Sequence, residues 1–493
     1  MKLVKIHLSN RRPEISLFLG YLSYVIFGYI FLSFAFCRNI NIPGIDTLFT
    51  VVSAISTTGL STVNIGADYN FWGQLGILIL IQLGGIGYMT FGSFIVLSVK
   101  RRLSQNRKSI HATAFSLPKD FSIKKFISSI VIYTFIIELI GVYFLYTAFQ
   151  YDDRANVLWS SVFHSISAFC TAGFSLYPNS FESYANTPYL NIVIFCLSFL
   201  GAIGYIVMVD VWLVLKGKKS SITFTSKIIL STSIILLIFG TFSIFFDFLL
   251  HSKTVLNQSN TFLQSFFQTM TSLTTVGFNT IPINELRSSS LFIISLLMII
   301  GASPSGTGGG IKSTTVSALF GILGSLFSKN KEYIKYNNKR DFLKKEKKNS
   351  NAFLRMFLTS KQEKIKEETK NDNDKFDSIF GEVFKIKLMN RTIPYDRVLH
   401  AVASFIFYVI ILSIGFLLLL LTESFSFEEL FFESASALGT VGLSMGITGG
   451  LTGIGKFITI ILMFIGRIGP ITFGIVLFNR DFNKSKEYED IVI

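Results

Sequence analysis

Charge and sulfur are scarce in this chain, and so is the apparatus of catalysis. Three cysteines, Cys37, Cys170 and Cys196, lie in or beside apolar segments with no metal-ligand spacing, so they read as packing residues. The five histidines are scattered; His164, six residues before Cys170, reads as a polar packing residue rather than a metal ligand. No acid-base pair, activated nucleophile or metal cluster stands out, which argues against an enzyme or a sensor. Only 15% of the 493 residues are charged and half are hydrophobic. With a mean hydropathy of +0.54, the chain is too apolar for a soluble protein. A cleavable leader is missing too: the basic stretch Met1 to Arg12 runs into an apolar segment longer than a signal peptide, without a small-residue cleavage pattern, and is expected to open a retained first helix.

What is present instead is a series of apolar runs of about 20 residues, the length that crosses a bilayer core. The chain therefore reads as a multi-pass membrane protein surrounded by lipid. Its net charge of +15 does not point to nucleic acid, because the cations cluster in Lys2 to Arg12, Lys100 to Lys108, Lys216 to Lys227 and Lys329 to Arg391. The stretches between hold few: Arg38, Arg154, Lys253 and Arg287. By the positive-inside rule the basic loops and both termini face the cytoplasm, and the stretches between face outward.

Those outward stretches share a signature, Thr-x-Gly-(Phe/Leu)-(Ser/Asn), which occurs four times: Thr57-Thr58-Gly59-Leu60-Ser61, Thr171-Ala172-Gly173-Phe174-Ser175, Thr275-Val276-Gly277-Phe278-Asn279 and Thr440-Val441-Gly442-Leu443-Ser444. One copy would be a turn ending a short helix. Four suggest four walls of one pore, and the third copy differs by a hydroxyl from the Thr-Val-Gly-Tyr of potassium-channel filters, where backbone carbonyls replace the ion's water shell. Glycine suits that task because four chains must approach one axis with backbone angles that a Cβ resists.

The flanks repeat as well. Apolar spans at about Ile15 to Phe36, Phe126 to Phe149, Ile228 to Leu250 and Leu399 to Leu421 precede the signatures, and Phe71 to Val99, Pro188 to Leu215, Ser290 to Phe327 and Gly453 to Phe478 follow them. Before each signature lies a stretch too short to cross, such as Asp46 to Ser56, which reads as re-entrant. Successive signature glycines are 114, 104 and 165 residues apart, and the last spacing becomes 101 without the 64 polar residues Ser328 to Arg391. A second echo, Gly84-Gly85-Ile86-Gly87, Gly201-Ala202-Ile203-Gly204, Gly301-Ala302-Ser303-Pro304 and Gly466-Arg467-Ile468-Gly469, falls late in each second span. Weak alone, since such glycines usually mark close helix packing, it supports the repeat by its place.

The expected fold is thus an all-α membrane protein of four tandem helix, re-entrant pore-loop, helix units around one central pore. It has eight membrane-spanning helices, of which the third unit's second is broken. The units run 1–110, 111–220, 221–327 and 392–493, with a basic cytoplasmic insertion at 328–391 that carries 18 Lys/Arg and 10 Asp/Glu and reads as a solvated segment. Two crossings per unit give all units one orientation, unlike an inverted-repeat transporter.

The break in the third unit is Gly301-Ala302-Ser303-Pro304-Ser305-Gly306-Thr307-Gly308-Gly309-Gly310-Ile311-Lys312-Ser313, which cannot stay helical. Irregular backbone at membrane depth must be buried in protein or line a cavity, so it is expected below the signatures, as a flexible gate or as a hinge. It is not a phosphate loop, because Ile311 separates Gly310 from Lys312 and the flanks are membrane helix; no nucleotide is expected on this chain. Arg467, deep in the last span, costs about 2.5 to 3.5 kcal/mol to insert. It either faces the cavity, as a barrier to cations or a clasp on the loop, or snorkels to the edge near Arg480; the cavity is the better reading. Glu138, Asp210 and Asp247 are also embedded, and Asp210 is expected to pair with the Lys216 to Lys219 cluster.

These residues resemble the Trk/Ktr/HKT superfamily of potassium transporters over nearly the whole chain outside 328–391. The resemblance implies a filter made by Thr57, Thr58, Gly59, Thr171, Ala172, Gly173, Thr275, Val276, Gly277, Thr440, Val441 and Gly442, which binds potassium as the transported ion. It implies a gate of Gly301, Ser303, Pro304, Ser305, Gly306, Thr307, Gly308, Gly309, Gly310 and Lys312, with Arg467 matching a fourth-unit arginine implicated in gating. With only about a dozen residues before the first unit, the chain looks similar to KtrB-type membrane subunits, and this implies a homodimer resting on a cytoplasmic ring of RCK-type, KtrA-like subunits that bind adenine nucleotides. Sodium as an activator stays open. Plant relatives that prefer sodium carry Ser at the first filter glycine, so Gly59 points to potassium. The function expected is gated potassium uptake across the cytoplasmic membrane; the alternative is a cation-coupled, sodium-dependent secondary transporter.

Overall fold

In a computed structural model the described residues are 13–87, 123–150, 156–250, 260–325, 387–388, 391–393, 395–469 and 473–474. Most of the 328–391 insertion and the basic stretches at both termini and at 100–108 lie outside them. The described chain forms two compact units, Met1–Thr314 with Ile406–Ile493, and Thr315–Phe405. In the second, the two-residue strands Lys387–Leu388 and Arg391–Thr392 pair antiparallel, Lys387 opposite Thr392 and Leu388 opposite Arg391; they form the one sheet among the described residues.

Along the described residues one order of elements recurs four times. Leading helices Pro13–Ser33, Ile123–Phe149, Phe224–Leu250 and Tyr395–Thr422 are followed by short helices Gly44–Ile55, Val157–Phe169, Thr261–Thr274 and Phe427–Gly439. Each signature comes next, and then a trailing helix: Phe71–Ile86, Pro188–Ala202, Ser288–Ile300 and Gly453–Ile468. Local chemistry sets the boundaries. Ser426 and Glu429 form a reciprocal capping box on the fourth short helix, Asn70 caps the first trailing helix through Trp72 and Gly73 N–H, and Thr452 caps the fourth through Gly455 N–H at 3.2 Å.

The leading helices carry Phe27, Leu139, Ile235, Phe239 and Leu417 on exposed faces. Among the described residues three helices are long and apolar enough to cross a bilayer, Ile127–Phe149, Phe224–Leu250 and Arg397–Thr422, or four if the bent pair Pro188–Ala202 and Tyr205–Leu215 counts as one span. The short helices have 12 to 14 residues, about 20 Å at 1.5 Å per residue, well short of a bilayer core. Their serines bury by bonding back to the helix, as Ser56 does to Val52 O at 2.6 Å and Ser434 to Leu430 O at 2.7 Å.

The second spans are less continuous than their apolar sequences predict. A break is expected only at Gly301, yet the Gly-x-x-Gly echo ends or bends every trailing helix: Gly87, Gly204, Gly301 and Gly469 have φ of +84°, +91°, +64° and +91°. The second span bends by 100° between Ala202 and Tyr205. In the first, second and fourth repeats the first glycine of the echo has a different task. A Cβ on Gly84, Gly201 or Gly466 would stand 2.2, 1.9 or 2.2 Å from the carbonyl of Ile55, Phe169 or Leu438, the last turn of the same repeat's short helix. These glycines let a trailing helix lie against the end of its own short helix.

Packing between repeats runs in a circle. Phe71–Ile86 packs on Val157–Phe169, Pro188–Ala202 on Thr261–Thr274, Ser288–Ile300 on Phe427–Gly439, and Gly453–Ile468 returns to Gly44–Ile55. A nearly buried ion pair joins the last contact, Lys456 Nζ to Asp46 Oδ1 at 2.6 Å.

Candidate functional site

The third and fourth short helices are capped at their C-termini by the signature threonines Thr275 and Thr440, the first and second one residue earlier by Ser56 and Cys170, and all four signatures have the same backbone. Thr57, Thr171, Thr275 and Thr440 have φ of +52°, +51°, +58° and +49°; Gly59, Gly173, Gly277 and Gly442 have +95°, +65°, +84° and +97°. The residue between turns its N–H back to the carbonyl five residues earlier: Thr58 to Ser53 at 2.8 Å, Ala172 to Ser167 at 2.8 Å, Val276 to Thr271 at 3.1 Å and Val441 to Ser436 at 2.9 Å. With the donor tied behind, the carbonyl is directed away from the short helix.

Those carbonyls meet the next repeat's glycine. A Cβ on Gly59 would stand 2.4 Å from Ala172 O, on Gly173 2.2 Å from Val276 O, on Gly277 2.0 Å from Val441 O, and on Gly442 2.2 Å from Thr58 O. The four signatures therefore close a ring in chain order, and no side chain fits at any of its glycines. The short helices add the partial negative charge of their C-termini to the same place. Backbone oxygens and helix C-termini together make an environment suited to a cation.

The positive φ of the threonines could not be foreseen. A β-branched residue in the left-handed region is an outlier that costs about 1–3 kcal/mol, and four of them at one position persist only because neighbours hold them.

One neighbour is the Gly-rich loop. Thr307 O accepts from Thr57 Oγ1 at 3.2 Å, Thr307 Oγ1 accepts from Thr171 Oγ1 at 3.0 Å, and Gly309 N–H donates to Thr275 Oγ1 at 3.2 Å. At the fourth signature, a Cβ on Gly309 would stand 2.3 Å from Thr440 Oγ1, a buried hydroxyl without a hydrogen-bond partner. One loop thus touches all four signature threonines. Its ends are pinned: Gly301 and Gly310 lie so close that a Cβ on either would be 2.6 Å from the other's Cα. Ser303 N–H donates to Ala202 O at 3.1 Å, Thr307 N–H to Gly201 O at 3.1 Å and Gly306 N–H to Ser303 O at 3.2 Å. Pro304 O and Ser305 sit against Gly204, whose missing Cβ makes room for them, and Ser305 O accepts from Tyr205 N–H at 3.2 Å. The bend in the second span is therefore the seat of the third repeat's loop. Lys312 folds back on the loop, its ammonium on Gly308 O at 2.7 Å and Gly309 O at 3.2 Å.

Arg467 clasps this loop. Its Nη1 donates to Thr307 O and, at 2.9 Å, to Thr57 Oγ1, and its Nη2 donates to Gly84 O. The guanidinium is taken up by the loop, the first signature and the first trailing helix, and does not snorkel.

The other embedded polar residues lie to one side. Asp210 pairs with Lys219 at 2.6 Å, as its place beside the basic cluster predicts. Glu138 accepts from Gln82 Nε2 at 2.9 and 3.1 Å, and Asp247 accepts from Ser289 and Ser290 at 2.7 and 2.6 Å. His164 bonds Ser160 and Ser175 within the protein. Among the described residues no group of His, Cys, Asp and Glu could hold a metal ion.

The fold and the ring define a helical membrane protein organised about a buried circle of backbone oxygens. Residues 31–486 match TrkH, the cation transport protein family, and the chain belongs to this Trk/Ktr family. It is 30% identical over 466 residues to the Ktr system potassium uptake protein B of Bacillus subtilis (strain 168), covering 94% of this chain and 92% of that one. It is 29% identical to the protein of the same name from Vibrio alginolyticus, covering 91% and 87%. With the potassium/sodium uptake protein NtpJ of Enterococcus hirae it shares 30% identity, covering 87% and 84%. The crystal structure of the potassium transporter TrkH from Vibrio parahaemolyticus superposes with a TM-score of 0.65 at 17% identity, covering 96% of this chain and 86% of that one, a likeness of fold.

Proposed function

We propose that this chain takes up potassium across the cytoplasmic membrane through the ring of signature loops. The observation that carries the reading is the closed circle in which each signature glycine receives the next repeat's carbonyl. Such oxygens can replace the water shell of a cation, and the absence of side chains keeps the opening to backbone dimensions. Potassium as the ion is supported by four intact glycines and by the potassium uptake named for the relatives from Bacillus and Vibrio.

The Gly-rich loop is the gate in this reading. It lies against every signature threonine and is held by Arg467, so an ion leaving the ring must displace it. The four repeats act as pore units bounded near 1–110, 111–220, 221–327 and 392–493, with both termini and the 328–391 segment cytoplasmic. Two such chains form a homodimer, each with its own pore, resting on an RCK-type, nucleotide-binding ring that moves the loop; sodium acts, if at all, as an activator. A cation-coupled secondary transporter of potassium is the second reading, favoured by the potassium/sodium uptake protein among the relatives.

The test is rubidium uptake into potassium-loaded proteoliposomes holding this chain, with external potassium or sodium as competitor. Uptake blocked by potassium and not by sodium is expected; uptake only with sodium present would favour the coupled transporter. Uptake blocked equally by both ions would refute a potassium-selective ring.

A further inference from the structure

We propose that the four walls of the ring are braced unequally, and that Thr271 and Gln268 make the third wall the compliant one and so help to set ion discrimination; this rests on the filter reading above. Four residues before each signature threonine stand Ser53, Ser167, Thr271 and Ser436. Ser53 Oγ accepts from Gly59 N–H at 3.1 Å, Ser436 Oγ accepts from Gly442 N–H at 3.1 Å, and Ser167 Oγ donates to Phe174 O at 2.8 Å. Thr271 Oγ1 is buried and bonds to nothing.

A second tier stands seven residues before each threonine. Glu433 accepts from Ser444 at 2.8 Å and Thr448 at 2.5 Å, and His164 Nε2 bonds Ser175 Oγ at 3.0 Å and accepts from Leu176 N–H at 3.3 Å. Both tie the short helix to the chain just beyond the signature. In the third repeat Gln268 makes one bond, to Thr280 at 3.3 Å, and its Oε1 is buried without a partner. In the first repeat Thr50 bonds back to Asp46 O, so that wall keeps the inner brace alone. Gln264 Oε1 and Thr269 Oγ1, on the third short helix as well, are also buried without partners. Only the third wall lacks a brace at the inner tier and has a single long one at the outer.

Buried polar atoms are normally paired, so this run of unpaired ones marks a wall held loosely by its own short helix, while Asn279 at its outer end bonds Ser180 Oγ, Glu182 Oε1 and Phe181 N–H of the second repeat. A ring discriminates between ions only as far as its carbonyls keep their places, within about 0.5 Å. The wall held least by its own short helix yields first. Threonine has fewer χ1 positions open to it in a helix than serine, and Ser53 and Ser436 use theirs to accept from a signature glycine.

Three full-length variants test this by rubidium uptake into proteoliposomes, read as the ratio of half-inhibitory sodium to half-inhibitory potassium, which does not depend on how much protein is active. Thr271→Ser gives Gly277 N–H an acceptor and is expected to raise the ratio about three- to tenfold, the worth of one net hydrogen bond. Ser436→Ala removes a brace and is expected to lower it by a similar factor. Thr271→Val removes a hydroxyl that bonds to nothing and is expected to leave the ratio at that of the unaltered chain. A drop in Thr271→Val as large as in Ser436→Ala, or no rise in Thr271→Ser, overturns the inference while the unaltered chain still discriminates. An unaltered chain without potassium-sensitive uptake overturns the filter reading itself.

Discussion

Replacing Gly59 by Ser puts a side chain at a point of the ring with no room for it. The new Cβ would stand 2.4 Å from Ala172 O and 3.1 Å from Gly173 Cα, and φ at this position is +95°. To reach 3.0 Å, the least separation real Cβ atoms show, the Ala172 carbonyl must retreat by 0.6 Å. An L-residue in a left-handed conformation costs about 1–2 kcal/mol more, so relaxation falls partly on the first wall. A shift of 0.6 Å exceeds the roughly 0.5 Å within which a binding constellation must be held. If potassium loses about 1.4 kcal/mol relative to sodium, the preference falls tenfold. The assay is rubidium uptake competed by potassium and by sodium, with Gly59→Ala as the control for bulk without a hydroxyl. Both variants are expected to lose preference by about tenfold or more. A normal sodium-to-potassium inhibition ratio in a variant with normal flux would refute the reasoning.

Three further outcomes follow from other contacts. Arg467→Gln removes charge-assisted bonds to Thr307 O and Gly84 O, each worth about 1.5–3 kcal/mol; rubidium uptake by the chain alone should rise about tenfold or more, and unchanged or slower uptake would contradict the clasp. Gly201→Ala places a Cβ 1.9 Å from Phe169 O, an overpacking expected to cost about 1–3 kcal/mol, seen as a lowered melting midpoint in detergent; an unshifted midpoint would speak against the close approach. Lys456→Met strands Asp46, whose partner at 2.6 Å is lost, at about 3–5 kcal/mol. The double variant Lys456→Met, Asp46→Leu should recover most of that loss in the same melt, and a double variant no better than the single one would show that the pair is not coupled.

Much of this organisation was legible in the sequence, for a physical reason that differs by element. The four short helices and their signatures could be read because a stretch too short to cross, followed by Gly in an apolar chain, has few other uses. The cost of its charge pointed to partners for Arg467 within the protein, and its guanidinium bonds Thr57, Thr307 and Gly84. The bend at Gly204 was hidden because Pro188 to Leu215 is a long, mostly apolar run, and only the loop carried by Pro304 and Ser305 from another repeat explains it. The left-handed threonines were illegible because threonine resists that conformation, so propensity points the wrong way. The Asp46 to Lys456 pair joins residues 410 apart, which only closure of the circle brings together. The bracing serines were visible as residues but not as a tier, since a buried Ser in a short helix more often bonds its own backbone.

The central claim, that the signature ring holds the transported ion, is tested most directly by diffraction from crystals grown in rubidium with data collected at the rubidium edge. Anomalous density is expected on the axis enclosed by the carbonyls of Thr58, Ala172, Val276 and Val441. Rubidium bound elsewhere in the protein with none in the ring would contradict it.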